Sequence, residues 1–522
     1  MIDATSVMRI FARRRLAALA RMDPMAAQRA TLFRLLRRAA GTRFGRDHDF
    51  RAITSIEAYQ AAVKLRRWED FWRDYWQAAF PLLGGVTWPG PIPFFALTSG
   101  TSGGPTKHIP VSPAMMRSNT GAAFDTMAFH LAARAQSRAF SGANFVLGGS
   151  TGLERLAPGV RAGDLSGIAM EGVPWWARGR AFPPRELALI ADWEAKVAAL
   201  APASVARDIR SISGTPSWLL LFFDQLAALH PDRPRRLATH YPNLELLVHG
   251  GVAFAPYRDA FAAWLEGSRA ETREVYPASE GFIAIADRGP EEGLRLVLDR
   301  GLFFEFVRAS EWDAPAPERR WLGTAEIGVD YAIVLTSNAG LWAYLLGDTV
   351  MLIERSPPRV LLTGRTAYTL SAFGEHLVGA ELERAVSEAA HALGAGAAEF
   401  SAGPLYPTAE APRGGHLFVV ELRPSAPGRE AEFAGLLDAA LARGNADYAA
   451  HRGGDFGMAP PAVLLAPPGS FAAWMRRRGK LGGQNKVPRV INDPALLADL
   501  RDFVRGAASR SARAPPWTRQ GP

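Results

Sequence analysis

Residues 98–107, TSGTSGGPTK, gather glycines and hydroxyl side chains between two apolar runs. Glycine accepts the backbone dihedrals that turn successive N–H groups toward one point, and its missing side chain leaves room for an anion there. Ser99, Thr101 and Ser102 would add hydroxyl donors, Gly100 and Gly103 the turns, and Lys107 a cation. Phosphate is the anion that such a set suits. A flexible linker has the same composition, so the stretch alone leaves both readings open. The P-loop pattern fails because position 105 is Pro105 and no lysine follows directly, and no G-x-G-x-x-G follows the preceding apolar run.

Lysine usage adds a second signal. Of 60 basic side chains only five are lysine, at 64, 107, 196, 480 and 486. An ammonium is a compact charge on a flexible stem and a guanidinium a wide planar fork, so the two are least interchangeable at crowded phosphates and reacting carboxylates. Lys64 and Lys196 fit solvated helix faces. Lys107 closes the hydroxyl-rich stretch, and Lys480 and Lys486 share a second glycine-rich one, GKLGGQNKVPR at 479–489.

Three further segments carry chemistry-bearing residues in order: YPASEGF with Tyr276, Ser279 and Glu280; LWAYLLGDTV with Asp348; and LLTGRTAYTLSAFGEHL with Arg365. Singly, Glu280 reads as a loop carboxylate, Asp348 as a turn former and Arg365 as a surface cation. Together, a phosphate loop, a carboxylate for magnesium, an aspartate for ribose hydroxyls and an arginine at a domain junction are what ATP binding demands.

The whole chain sets the limits. Its 522 residues, 48% hydrophobic and 21% charged, suffice for two or three domains. With no cysteine, disulfides, thiolate metal sites and a cysteine nucleophile are excluded. A net charge of +9 invites a nucleic-acid reading, but the arginines are scattered among acidic residues, with only short clusters such as those at 13–15, 235–236 and 476–478. No nucleic-acid or membrane partner is expected. The N-terminus lacks a secretory apolar core and no later run suits a bilayer, which leads to the expectation of a cytoplasmic protein.

The elements that must position these residues follow from periodicity. Two amphipathic helices occupy 6–40, separated at Asp23-Pro24, and an aromatic-rich helical region leads to the strand FFAL. Helices near 113–135, 186–200, 216–230 and 256–266 alternate with strands NFVLGG and LELLVHGG, an α/β pattern. From 294 to 362 strands dominate, and mixed helix and strand resume after Gly364.

The quoted segments, in this order and spacing, resemble adenylate-forming enzymes and, among them, the Gretchen Hagen 3 family of acyl-acid amido synthetases. ISGTPSWLL (212–220), HGGVAFAPYR (249–258) and TSNAGLWAYLLGD (336–348) extend the resemblance over nearly the whole chain, whose arginine-rich composition is closer to bacterial members. The resemblance implies a luciferase-like α/β fold: a large N-terminal adenylation domain over 1–363 with a β-rich part at about 294–362, a smaller mobile α+β domain over 364–505, and an unstructured tail over 506–522. It implies ATP and magnesium, a carboxylic acid and an amine or amino acid as substrates, and a monomer or weak oligomer. Residue by residue, it implies that Ser99, Gly100, Thr101, Ser102, Gly103 and Lys107 hold phosphates and that Gly251, Val252 and Ala253 line adenine. Tyr276 and Ser279 flank the nucleotide, Glu280 meets the metal, Asp348 the ribose, Arg365 opens the hinge and Lys486 is the catalytic lysine of the small domain. Pro105-Thr106 departs from the plant form of the loop.

A thiol acceptor, as in acyl-CoA ligases, and a non-catalytic nucleotide binder are the rival functions. His249 and His376 are the histidines near motifs that could take the amine's proton. Trp218, Leu219, Phe222, Phe145 and the pair Trp175-Trp176 could line an acyl pocket, although aromatic residues at helical spacing usually pack in cores.

Overall fold

The structure, a computed structural model, describes residues 3–98, 107–148, 152–190, 193–251, 254, 257–289, 292–312, 314–365, 370, 377, 379–406, 414–445, 448–449, 452, 458–480 and 486–513. The chain separates into two compact units: one comprises 1–100, 105–254 and 260–362, the other 101–104, 255–259 and 363–522.

The first unit opens with the two amphipathic helices, Thr5–Ala20 and Pro24–Ala39. Asp23 ends one and caps the next, its carboxylate accepting from the N–H groups of Met25 and Ala26 while Pro24 occupies the first turn. Leu32, Leu35, Leu36 and Ala39 recur at helical spacing and are buried. They join a core that includes Phe44, Phe71, Trp76, Phe95, Phe303, Phe306 and Trp342.

Twelve strands form the main sheet among the described residues. Its parallel half runs Glu271–Ala278, Leu246–Gly250, Ile209–Gly214, Ala143–Leu147 and Ala181–Phe182. Helices Pro113–Ala133, Pro216–Leu229 and Arg258–Leu265 serve these strands, as the alternating sequence pattern requires. Beyond Gly281–Ile285 come Leu294–Leu296, Pro358–Arg365, Tyr344–Arg355, Asp330–Ser337, Leu302–Arg308 and Arg320–Trp321. Asp330–Ser337 is buried along nearly its whole length, which explains its unbroken apolar reading.

A separate four-stranded sheet holds Phe94–Thr98 antiparallel to Lys107–Val111 and parallel to Val160–Gly163. The register pairs Thr98 with Lys107, so the eight residues between them leave and re-enter at one rung. Phe95, Phe80, Trp72 and His108 pack as rings beneath this hairpin, with Phe80 to His108 centroids 5.0 Å apart.

The second unit folds around a three-stranded sheet, Gly396–Leu405, Gly415–Arg423 and Ala462–Ala466. Helices Gly379–Ala392 and Glu430–Gly444 pack on it through Leu382, Val386, Phe433 and Leu437. The strands 396–405 and 462–466 were not anticipated from sequence, because Gly, Ala and Pro dilute the apolar alternation of the first and Pro flanks the second. The tail needs correction: helix Pro494–Arg513 continues past residue 506, so an unstructured tail cannot start there, and 514–522 lie outside the described residues. Among the described residues no helix is long and apolar enough to cross a membrane.

Glu305, fully buried on the Leu302–Arg308 strand, accepts from Arg319 at 2.8 and 3.1 Å and from Gln60 at 2.9 Å. Removing one partner of a buried pair strands the other charge. Glu305→Ala is therefore expected to destabilise the first unit by about 3–5 kcal/mol, read as a shifted urea midpoint; an unchanged midpoint would show that water reaches Arg319.

Candidate active site in the first unit

Strand Glu271–Ala278 turns directly into Gly281–Ile285: Ala278 pairs with Gly281, leaving Ser279 and Glu280 as a two-residue hairpin loop. Gly281 has φ +152°, and a Cβ there would press on the Leu302 side chain at 2.9 Å. Glu280 is nonetheless buried, 7% exposed, and hydrogen-bonds the phenol of Tyr344. Asp348, four residues along the Tyr344–Arg355 strand, is equally buried and accepts a hydrogen bond from the Tyr276 phenol.

Two carboxylates are thus held in an apolar wall, each by a buried tyrosine. Tyr344 carries the electrostatic record. Burial pushes its phenol well above the ordinary value, and the charge of Glu280, its hydrogen bond, and the charges of Glu69 and Asp348 push the same way. Three acidic side chains therefore surround this one hydroxyl.

Glu69 was not anticipated as a site residue. It lies on the short helix Trp68–Phe71, which two neighbours fix in place. The backbone of Arg66 pairs with the strand start, its N–H donating to the Ala343 carbonyl at 3.0 Å and its carbonyl accepting from Leu345 at 2.9 Å. Trp68 Nε1 donates to the His108 carbonyl at 3.2 Å. Ala343 has φ +46°, a left-handed conformation uncommon for a residue with a Cβ, immediately before Tyr344. Glu69 consequently reaches Lys107, with Nζ to Oε1 at 2.8 Å, while the ammonium stands 5.9 Å from the Trp68 ring centroid. No linear spacing relates residues 69, 107, 280, 344 and 348, so only the register of the strands brings them together.

Gly250 and Gly251 are accounted for by backbone geometry. At Gly250 a Cβ would sit 2.1 Å from the Val275 carbonyl oxygen, and Gly251 has φ +84° and is exposed. Val252, Ala253 and residues 99–103 of the hydroxyl-rich stretch lie outside the described residues, as does His376. Arg365 closes the Pro358–Arg365 strand. In the second unit Lys486 is exposed, and the chain just beyond it is pinned: Ala402 N–H donates to the Arg489 carbonyl, and Ile491 N–H to the Ala402 carbonyl, both at 2.8 Å.

His249 does not suit the base role. It is 3% exposed, stacks on Phe254 with centroids 3.7 Å apart, and burial pulls its imidazole down to about 3. So weak a base accepts little from an ammonium at neutral pH. Of the aromatic candidates, Phe145, Leu219 and Phe222 are core, with Phe145 and Phe222 ring centroids 4.9 Å apart. Trp175 and Trp176 are not core: they are 82% and 44% exposed, Trp176 stacking on Phe124.

A hydroxyl-and-glycine segment bracketed by a hairpin, followed by buried carboxylates set into one large mixed sheet, is the arrangement of an adenylate-forming fold. The solved structures agree. A GH3.15 acyl acid amido synthetase superposes with TM-score 0.77 at 17% identity, over 96% of this chain and 97% of that one. A 2-hydroxyisobutyryl-CoA ligase in the postadenylation state superposes with TM-score 0.60 at 17% identity, over 92% and 91%.

Models of the GH3 family match in chain order: its N-terminal domain at 15–148, its central domain at 295–365 and its C-terminal domain at 380–495. This chain belongs to the GH3 family. Among curated relatives, the probable indole-3-acetic acid-amido synthetase GH3.4 of Oryza sativa subsp. japonica is 28% identical over 250 residues, 44% of this chain and 39% of the relative. The indole-3-acetic acid-amido synthetase GH3.8 of Oryza sativa subsp. indica is 26% identical over 303 residues, 53% and 48%. The matched segments thus span less than half the length of these two relatives.

Glu274 supplies a test of this wall's polarity. It lies opposite His249 in the parallel register, two residues before Tyr276, and burial pushes its carboxyl up from 4.5 to about 7. The folded chain therefore keeps a proton that the unfolded chain releases, so stability is full below pH 4.5 and falls as pH rises through 7, by about 3 kcal/mol in all. Glu274→Gln should lose that contribution to the pH dependence in urea titrations from pH 4.5 to 8. Parallel wild-type and variant curves would mean that Glu274 is solvated.

Proposed function

We propose that this protein is an ATP-dependent acyl-acid amido synthetase: it adenylates a carboxylic acid, then passes the acyl group to an amino acid or other amine, releasing pyrophosphate and AMP. The observation that carries the reading is the tyrosine-held pair Glu280 and Asp348, with Glu69, the ion-pair partner of Lys107, acting on the same Tyr344, in a chain of the GH3 family. Relatives named as amido synthetases support amide formation over a thiol acceptor.

A carboxylate attacks an α-phosphate poorly because both are anionic, so the chain must neutralise the charge that builds in the transition state. Residues 99–103 and Lys107 would bind the polyphosphate. Asp348 would take both ribose hydroxyls, its Oδ2 also accepting from the Tyr276 phenol. Gly251, Val252 and Ala253 would present backbone to adenine, with Tyr276 and Ser279 bordering the nucleotide.

Magnesium fits as a companion of the phosphates. Among the described residues no three acidic or imidazole groups form a ready cage, which suits an ion that keeps waters and phosphate oxygens and takes one carboxylate, here Glu280. Bound there, it would supply charge neutralisation at the phosphates.

Lys486 is the cation we assign to acyl-adenylate formation, and Arg365 the residue at the junction between the units. In the second half-reaction the amine attacks the activated carbonyl and AMP leaves, provided water is kept out.

Pyrophosphate and AMP release from MgATP across a panel of carboxylic acids, with and without the twenty amino acids, tests this. AMP release requiring acid and amino acid, with an amide found by mass, is expected. Asp348→Ala should weaken MgATP binding at least about tenfold, the loss of a charged hydrogen-bonding partner. Lys486→Ala should leave binding intact and slow adenylation by about 10²–10³-fold. Thiol-dependent turnover would replace the amide reading.

A further inference from the structure

Glu69 lies outside every motif that marks the site, yet its ion pair with Lys107 joins the hydroxyl-rich hairpin to the carboxylate wall. Two features argue that it is built. The helix bearing Glu69 is tied on one side to Tyr344 by the Arg66 backbone ladder and on the other to the hairpin by the Trp68 indole. Trp68 and Trp72, stacked with centroids 5.1 Å apart, steady the short helix that carries Glu69. Although burial opposes it, the hydrogen bond from Lys107 holds the Glu69 carboxyl below its ordinary range, so Glu69 is an anion at neutral pH.

A lysine side chain gives up about 2 kcal/mol of rotamer freedom when it is ordered. Lys107 has already given up part of that freedom here, since its side chain is 23% exposed and is held by Glu69 over the Trp68 face. An ammonium has three donors, and among the described residues Glu69 is the ion-pair partner of one, so the ammonium retains capacity for further oxygens.

Resting on the adenylating function argued above, we propose that Glu69 is a positioning residue: it pre-orders the Lys107 ammonium at the exit of residues 98–107, so that the cation meets the nucleotide's polyphosphate without first being immobilised. Glu69 acts through Lys107 and touches no reacting atom. In its absence the lysine stem samples solvent and nucleotide affinity falls, while the fold, which does not depend on a carboxylate 58% exposed, stays intact.

The test is MgATP binding by isothermal titration calorimetry on the full chain, with Glu69→Gln, Glu69→Asp, Lys107→Met and the Glu69→Gln/Lys107→Met double variant. Glu69→Gln should weaken binding about three- to tenfold, the range of a partly exposed charge-assisted contact, with an unchanged melting temperature. Glu69→Asp should recover part of the loss, and Glu69→Gln should change nothing once Lys107 is methionine. Tighter binding by Glu69→Gln would show that Glu69 competes with phosphate and would overturn the proposal, as would an equal loss in the Lys107→Met background. No MgATP binding by the wild type would instead overturn the adenylating reading and the proposal with it.

Discussion

An ionised carboxylate taken out of water must be given donors, because leaving it unpaired costs several kcal/mol. The candidate site meets that requirement twice with tyrosine, Tyr276 for Asp348 and Tyr344 for Glu280. Each tyrosine is itself almost wholly buried, so neither hydroxyl can swing away to solvent. The pairs interlock by strand: Tyr276 and Glu280 belong to one hairpin, Glu280 in its loop, and Tyr344 and Asp348 share the long strand Tyr344–Arg355 of the same sheet. Slipping either strand by one residue would turn a carboxylate into the core without its donor. The charge pattern of the site is therefore a consequence of sheet register.

The aromatic layer extends the same constraint to the hairpin that brackets the glycine-rich residues. Phe80, Phe95, Trp72 and His108 pack under it, and Trp68 ties it to the helix of Glu69. Rings suit this position because they fill space with few rotatable bonds, leaving the polar residues above to be placed by backbone pairing. A rigid base under a polar rim is what a site needs if it is to hold phosphates without reorganising for them. The second unit, with its own three-stranded sheet and core, presents Lys486 from a segment whose continuation is pinned by a backbone bridge at Ala402.

Much of this could be read in the chain beforehand, and what could not shares one cause. Asp23-Pro24 announced a helix boundary and Asp23 is the cap, because capping is decided within a few residues. Glu280 and Asp348, ordinary when taken singly, stood out through the order of their segments along the chain. Glu69 and the bond from Tyr344 to Glu280 did not, since they depend on which segments become neighbours in the fold across long stretches of sequence. His249 drew attention through its motif, and only its burial against Phe254 shows why its basicity is lost. Lys196 read as a solvated helix lysine but is 2% exposed, its ammonium donating to the Ala188 carbonyl at 3.0 Å, a burial that one helix's polar pattern does not reveal.

The most direct measurement of the central claim uses an acid that supports AMP release, labelled in its carboxyl group with oxygen-18. Attack of that carboxylate on the α-phosphate transfers one labelled oxygen to AMP and leaves the other in the amide, and mass spectrometry of both products should show this division. Unlabelled AMP, or label in inorganic phosphate with ADP as the nucleotide product, would contradict adenylation and leave the buried carboxylates and their tyrosines without the role assigned to them.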